Sequence, residues 1–198
     1  MKKFIIILFL FSNNLFANNI SDSRQFIENI GNAIVTFNDR EKLISLIDES
    51  IDFKWISRFV LGVNYHNFTT EQKTDFTKLY KEFLINTYGP KFDNYKAKSF
   101  QIYAIEEKKR YNIVKSNLEI DDGTKISFAF RVKRNKLDNQ YKIIDIIVEN
   151  ISLIETQRAE FSSVIAQNNI AYFLDKMDEK VQKQKLLNQN AKQYFTNP

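Results

Sequence analysis

Apolar residues recur every three to four positions through the first half of the chain. They fall at every second position from Lys98 to about Leu153, then return to the helical period. Ile27, Ile30, Ile34 and Phe37 mark one helical face, and Leu43, Ile44 and Ile47 mark another. A short third segment, Phe53 to Gly62, ends on a glycine suited to a left-handed helix stop. Thr69-Thr-Glu-Gln72 has the form of a capping box. The helix it opens carries Phe76, Leu79, Tyr80, Phe83, Leu84, Thr87 and Tyr88 on one side, and Gly89-Pro90 is expected to end or kink it.

The alternating region reads as four strands. Phe100, Ile102 and Ala104 begin it, and Tyr111 to Ile120 follow a charged turn that includes Lys108, Lys109 and Arg110. Asp121-Asp122-Gly123 is a hairpin signal, because glycine accepts a positive φ. Ile126, Phe128, Phe130 and Val132 alternate next. Arg134 to Gln140 turns the chain again, and Tyr141 to Leu153 forms the fourth strand. Strict alternation there puts Ile144, Ile146 and Val148 on one side, and Tyr141, Ile143, Ile147 and Ile151 on the other. Phe161, Val164 and Ile165 open one closing helix, and Ile170, Phe173, Leu174, Met177 and Val181 a second. Asn168-Asn169 stands between them, as a residue type that tolerates the left-handed region. Short connections make the strands an antiparallel meander. The expectation is one α+β domain, a sheet of four or more strands wrapped by N- and C-terminal helices.

The ends of the chain read differently. Lys2 and Lys3 precede eight apolar residues, Phe4 to Phe11, and Leu15-Phe16-Ala17 fits a cleavage site. That run is well short of the roughly 20 residues needed to span a bilayer. Residues 1–17 are therefore expected to be an export signal, residues 18–182 the domain, and 183–198 a polar tail that frays. With no cysteine, burial alone has to hold the exported fold. Net charge falls from +5 to +3 when Lys2 and Lys3 leave, too mild and too mixed to indicate nucleic acid.

Candidate chemistry is sparse. The sequence has one histidine, His66, in a polar loop, and neither a nucleophile elbow nor a phosphate loop. Asp121-Asp122 is the nearest approach to a metal cluster, and the following glycine makes it a turn. Asp145 and Glu149 share a strand face about 13 Å apart at ~3.3 Å per residue, beyond the roughly 5–9.5 Å of glycosidase pairs. They read as structural. No cofactor, metal or catalytic residue is expected, and the chain reads as a non-enzyme. Periodicity alone assigns its large apolar surface to ordinary core.

Several segments in order carry a resemblance: Phe59-Val-Leu-Gly62, Thr69-Thr-Glu-Gln72 leading to Thr87-Tyr88-Gly89, and Tyr141 to Ser152 with Asp145, Glu149, Ile151 and Ser152 at fixed spacing before Thr156, Glu160 and Phe161. From about Ser21 to Met177 the chain resembles the MlaC, or toluene-tolerance, family of periplasmic phospholipid-binding proteins. It departs at Asn150, where the family usually has glycine, at Asn168-Asn169, and in the Val63-Asn-Tyr-His66 loop. The resemblance implies a sheet and helices enclosing an apolar pocket for acyl chains, with the head group near solvent. It also implies a soluble periplasmic carrier moving phospholipid between an outer-membrane lipoprotein–porin complex and the lipid-binding ring of an inner-membrane ABC transporter.

The apolar positions that fit such a wall are Trp55, Phe59, Val60, Leu61, Tyr80, Phe83, Leu84, Tyr88, Phe128, Phe130, Val132, Ile144, Ile146, Val148, Ile151, Leu153, Phe161, Val164 and Ile165. Arg131, Lys133 and Arg134 are the head-group candidates, beside Lys136. Thr156 is expected to cap the helix that follows the last strand. The rival readings are a periplasmic adaptor with a filled core and a hydrolase on a related scaffold.

Overall fold

A computed structural model describes residues 12–36, 40–94, 97–136 and 138–196. The first eleven residues of the expected export signal, and Phe37 of the first helical stripe, lie outside the described residues. Helices α1 (Ser12–Thr36), α2 (Arg40–Ser50) and α3 (Phe53–Leu61), a 3-10 helix (Gly62–Asn67) and α4 (Thr70–Asn94) precede the sheet. Strands β1 (Ala97–Glu107), β2 (Asn112–Ile120), β3 (Lys125–Arg134), β4 (Tyr141–Val148) and β5 (Ile151–Ser152) follow, then α5 (Leu153–Gln167) and α6 (Ile170–Thr196). The strands pair in sequence order, all antiparallel. The expected α+β meander is present with one strand more than the four counted from sequence.

Local chemistry sets the boundaries. Asp52 Oδ1 accepts from the Trp55 N–H at 2.9 Å and starts α3. The capping box at α4 is closed both ways: Thr69 N–H to Gln72 Oε1 at 2.9 Å, and Gln72 N–H to Thr69 Oγ at 3.1 Å. Asn169 Oδ1 caps α6 by accepting from Tyr172 N–H at 2.9 Å. Asn168 is not left-handed as expected; its φ is −131°. Its side chain instead donates to the Val164 carbonyl at the end of α5, at 3.0 Å.

At Gly89-Pro90, where an end or a kink is expected, the helix does not end, and the polar C-terminal stretch is helical to Thr196. α4 does not stop at Gly89-Pro90 but runs through it to Asn94. Proline has no N–H, so the carbonyl of Asn86 loses its intrahelical donor. Asn188 Nδ2 of α6 fills that role at 3.0 Å. Beyond Lys183 the chain does not fray but continues as α6, laced to α4 by polar pairs. Gln184 Nε2 donates to Thr87 Oγ at 2.6 Å, and Lys185 meets Glu82 at 2.8 Å. A polar stretch can therefore dock as a helix when its partners are polar too.

The last strand also differs from its expected course. β4 ends at Val148. Glu149 and Asn150 adopt φ of +48° and +65°, the two-residue signature of a type I′ turn, and Ile151-Ser152 fold back on Val148 and Ile147. Asn150 holds the left-handed position that glycine more often takes. Ser152, not Thr156, is the cap of α5. Its Oγ accepts from Glu155 N–H at 3.1 Å, while the Thr156 hydroxyl bonds back to the Ser152 carbonyl.

Candidate functional site

The sheet serves two separate apolar clusters. On one face, Phe100, Ile102 and Ile105 of β1 lie beside Val114 and Leu118 of β2, then Phe128, Phe130 and Val132 of β3. α1 packs on this face through Ile27 and Ile30. Gly31 permits the approach, since a Cβ there would stand 1.9 Å from the Phe100 ring. Asn112 and Ser23, both buried, hydrogen-bond each other at 3.0 Å and fix α1 against β2.

The other cluster belongs to the helices. Phe76 and Tyr80 of α4, Phe161 of α5 and Phe173 of α6 are buried against one another. Their ring centroids are 5.2–6.0 Å apart, in stacked, tilted and edge-on pairs. Tyr80 hydrogen-bonds the buried Gln157 side chain, and burial pushes its hydroxyl well above the ordinary tyrosine value. These four rings have almost no exposed surface.

β4 joins the two clusters through a bulge. Val132 pairs with Ile143 but Arg131 pairs with Asp145, so Ile144 is an extra residue. Alternation changes phase there. Tyr141 and Ile143, then Ile146 and Val148, share the α1 face, while Ile144 buries in the helical cluster. This corrects the side assignment that strict alternation gives. Ile51 packs against both clusters and bridges to Ile143, and Asp52 N–H donates to the Ile143 carbonyl at 3.0 Å.

The wall positions named from sequence therefore divide. Val60, Leu61, Tyr80, Phe83, Leu84, Ile144, Phe161 and Ile165 are buried in the helical cluster, with Trp55, Phe59, Tyr88, Leu153 and Val164 packed around it. Phe128, Phe130, Val132 and Ile146 belong to the sheet face. Val148 adjoins them through its pairing with Phe128. Ile151 is 64% exposed and continues no wall. Phe100, Ile102, Ile105 and Leu118 join the sheet face although the sequence reading left them out. Their alternation was visible, but the register that brings them beside Phe128 was not.

The head-group candidates are mostly engaged. Arg131 Nη1 bonds Asp145 at 2.9 Å and Glu155 at 2.6 Å. Arg134 bonds Asp22 at 2.7 Å and lies over the Tyr141 ring. Lys133 Nζ stands 5.9 Å from the Trp55 ring centre. The buried Asp145 carboxylate also accepts from Ser152 Oγ at 2.7 Å and Ile154 N–H at 3.3 Å, and burial raises its pKa. It is a structural anchor between β4 and α5. Glu149 likewise accepts from Ser127 N–H at 2.7 Å.

Two recesses stand out among the described residues. One, about 330 Å³, is lined by Trp55, Arg58, Phe59, Tyr65, His66 and Arg158 among others; a second, about 190 Å³, lies among Asp52 and the Lys133–Lys136 turn. The first is at the lower end of small-ligand clefts, roughly 300–1,000 Å³. Among the described residues no cluster of His, Cys, Asp and Glu has the makings of a metal site, and no helix is long and apolar enough to cross a membrane.

A solved phospholipid-binding protein from Ralstonia solanacearum, determined in complex with a phospholipid, is similar to this chain with a TM-score of 0.68. The two are 19% identical, and the match covers 84% of this chain and 98% of that one, a likeness of fold. The family model for the MlaC protein matches residues 36–179, from the end of α1 into α6. With well over half its length matched, the chain belongs to the MlaC family.

Proposed function

We propose that this protein binds phospholipid and carries it through the periplasm, holding the acyl chains on the α1-side face of the sheet. The observation that carries this reading is the uneven filling of the two clusters. Phe100, Ile102, Phe128, Ile146 and Val148 are large, apolar and only half-buried, side by side on one face. Leu46 of α2 and Ile34 of α1 pack at its margin. The family and the phospholipid complex of the Ralstonia protein support the same ligand. Each CH₂ removed from water is worth about 0.8 kcal/mol, so two acyl chains represent roughly 20 kcal/mol or more that a carrier has to match. Apolar side chains supply that match, and the face needs no reactive group to do so. The carrier then exchanges lipid with its partners at near-neutral free energy, and direction comes from them. The partners proposed are the outer-membrane lipoprotein–porin complex and the lipid-binding ring of the inner-membrane ABC transporter.

In this reading the sheet-face residues line the acyl site, while Tyr80, Phe83, Phe161 and their neighbours form the solid support behind it. Native mass spectrometry of protein purified without added lipid tests it. The expected spectrum shows a bound mass equal to a phospholipid in the wild type and none in Phe128→Glu. A wild type that is empty after gentle purification refutes the proposal. The small size of the described recesses favours a second reading, an adaptor with a filled interior, and the same spectrum decides between them.

A further inference from the structure

The larger of the two recesses combines aromatic walls with arginines that have no ion-pair partner among the described residues. Trp55 and Phe59 are stacked at 5.1 Å, one turn apart on α3. The Arg158 guanidinium of α5 lies 4.9 Å above the Phe59 ring, and that of Arg58 lies 5.4 Å from the Tyr65 ring. Lys73 approaches the far side of the group, 4.7 Å from Tyr65. Gly62 makes the Arg158 pose possible, because a Cβ there would stand 2.9 Å from Nε and 3.0 Å from Nη2. Neither Arg58 nor Arg158 has a carboxylate within ion-pair distance among the described residues. Other well-placed arginines of the fold, Arg131 and Arg134, do have one.

A guanidinium stacked on a ring keeps its in-plane N–H donors free, so the two arginines are held ready for an oxyanion. Val63, 78% exposed, extends the apolar surface past the rim. The volume of about 330 Å³ admits one or two side chains and no whole lipid. Tryptophan, tyrosine and arginine around a shallow pocket is the composition of protein-interface hot spots.

We infer that this recess is a docking site for a protein partner that inserts an apolar side chain flanked by an aspartate or glutamate, the carboxylate meeting Arg58 and Arg158. The site shares no lining residue with the sheet face proposed to hold the acyl chains. Selection of a random peptide library on the full chain tests the chemistry, and Trp55, the sole tryptophan of the sequence, reports binding directly. The expected outcome is enrichment of sequences with an acidic residue next to a large apolar one. Titration with one such peptide should shift Trp55 emission, and the double variant Arg58→Gln/Arg158→Gln should weaken it at least about tenfold, the loss of a charge-assisted contact. Co-purifying phospholipid should be unchanged in that variant. Arg58→Gln alone, at an exposed position, carries the test should Arg158→Gln fail to fold. Selected peptides without acidic residues, or unchanged affinity in a folded variant, would overturn the inference. So would displacement of the peptide by phosphatidylglycerol vesicles with the same Trp55 shift, which assigns the recess to lipid head groups.

Discussion

The helical cluster and the sheet face contain the same kinds of residue and use them in opposite ways. In the first, Phe76, Tyr80 and Phe173 have essentially no exposed surface, and every ring meets another. In the second, Phe128 and Ile146 sit opposite Ser116 and Phe130 with part of their surface uncovered. Close packing converts apolar area into stability; incomplete packing leaves area in hand for a ligand. The difference lies in the cover. α4, α5 and α6 bring facing aromatic rows to the first cluster, whereas α1 covers the second mainly over β1 and β2.

Substitutions should separate the two roles. Phe76→Ala is expected to cost about 3–5 kcal/mol in urea unfolding, since its four aromatic neighbours cannot all collapse into the void. Lipid carried by the surviving folded fraction should be normal. Phe128→Ala is expected to cost only about 1–2 kcal/mol by the same measurement, yet reduce bound phospholipid in native mass spectra several-fold. Equal stability losses at the two positions would erase the distinction drawn here.

A smaller effect sharpens the account of the helical layer. Asn188→Ala should destabilise by about 1 kcal/mol because it strips the Asn86 carbonyl of its donor. In a Pro90→Ala background the helix supplies its own N–H, and the cost should shrink. Additive costs would deny the compensation between α6 and the proline.

The smallest effect concerns pH. Hydrogen bonds from Lys115 and Lys108 lower the pKa of Glu106 to about 2. A carboxylate lowered on folding contributes stability above its unfolded value and loses it as pH falls toward the folded one. Glu106→Gln should remove part of the acid loss between the usual carboxylate range and pH 2, weakly, because the group is solvent-exposed. Asp145 acts with the opposite sign. Burial raises its pKa, so its contribution declines as pH rises through the carboxylate range, and Asp145→Asn should flatten that slope in urea titrations.

How far the sequence disclosed this structure depends on whether the information was local. The capping box at Thr69–Gln72, the α3 stop at Gly62 and the Asp122-Gly123 hairpin are all short-range chemistry, and each forms where its residues predict. The course of α4 was hidden, because what rescues it at Pro90 is Asn188, nearly a hundred residues later. So was the shift in β4. Ile143, Ile144, Ile146 and Ile147 flank Asp145 symmetrically, so an apolar pattern with no polar marker on either side reveals no change of phase. The wall positions are apolar, and all but Ile151 pack in or beside one of the two clusters. Which of two interiors each one enters is fixed by the packing of α1 and α4–α6, on which periodicity is silent. The aromatic and basic recess combines residues 55–66 with Arg158, and no spacing along the chain announces that meeting.

The single surplus residue in β4 has a consequence for how this protein tolerates change. Because of it, one strand feeds two interiors, with Ile144 turned one way and its neighbours Ile143 and Ile146 the other. Exchanging isoleucine for valine or leucine along this strand leaves that division intact. Deleting Ile144 does not: Ile143 and Asp145 already pair with the adjacent Val132 and Arg131, so the strand would straighten with its other side chains on their present faces, and the helical cluster would lose the Ile144 side chain. For this strand, residue count is the inherited constraint and residue identity the freedom.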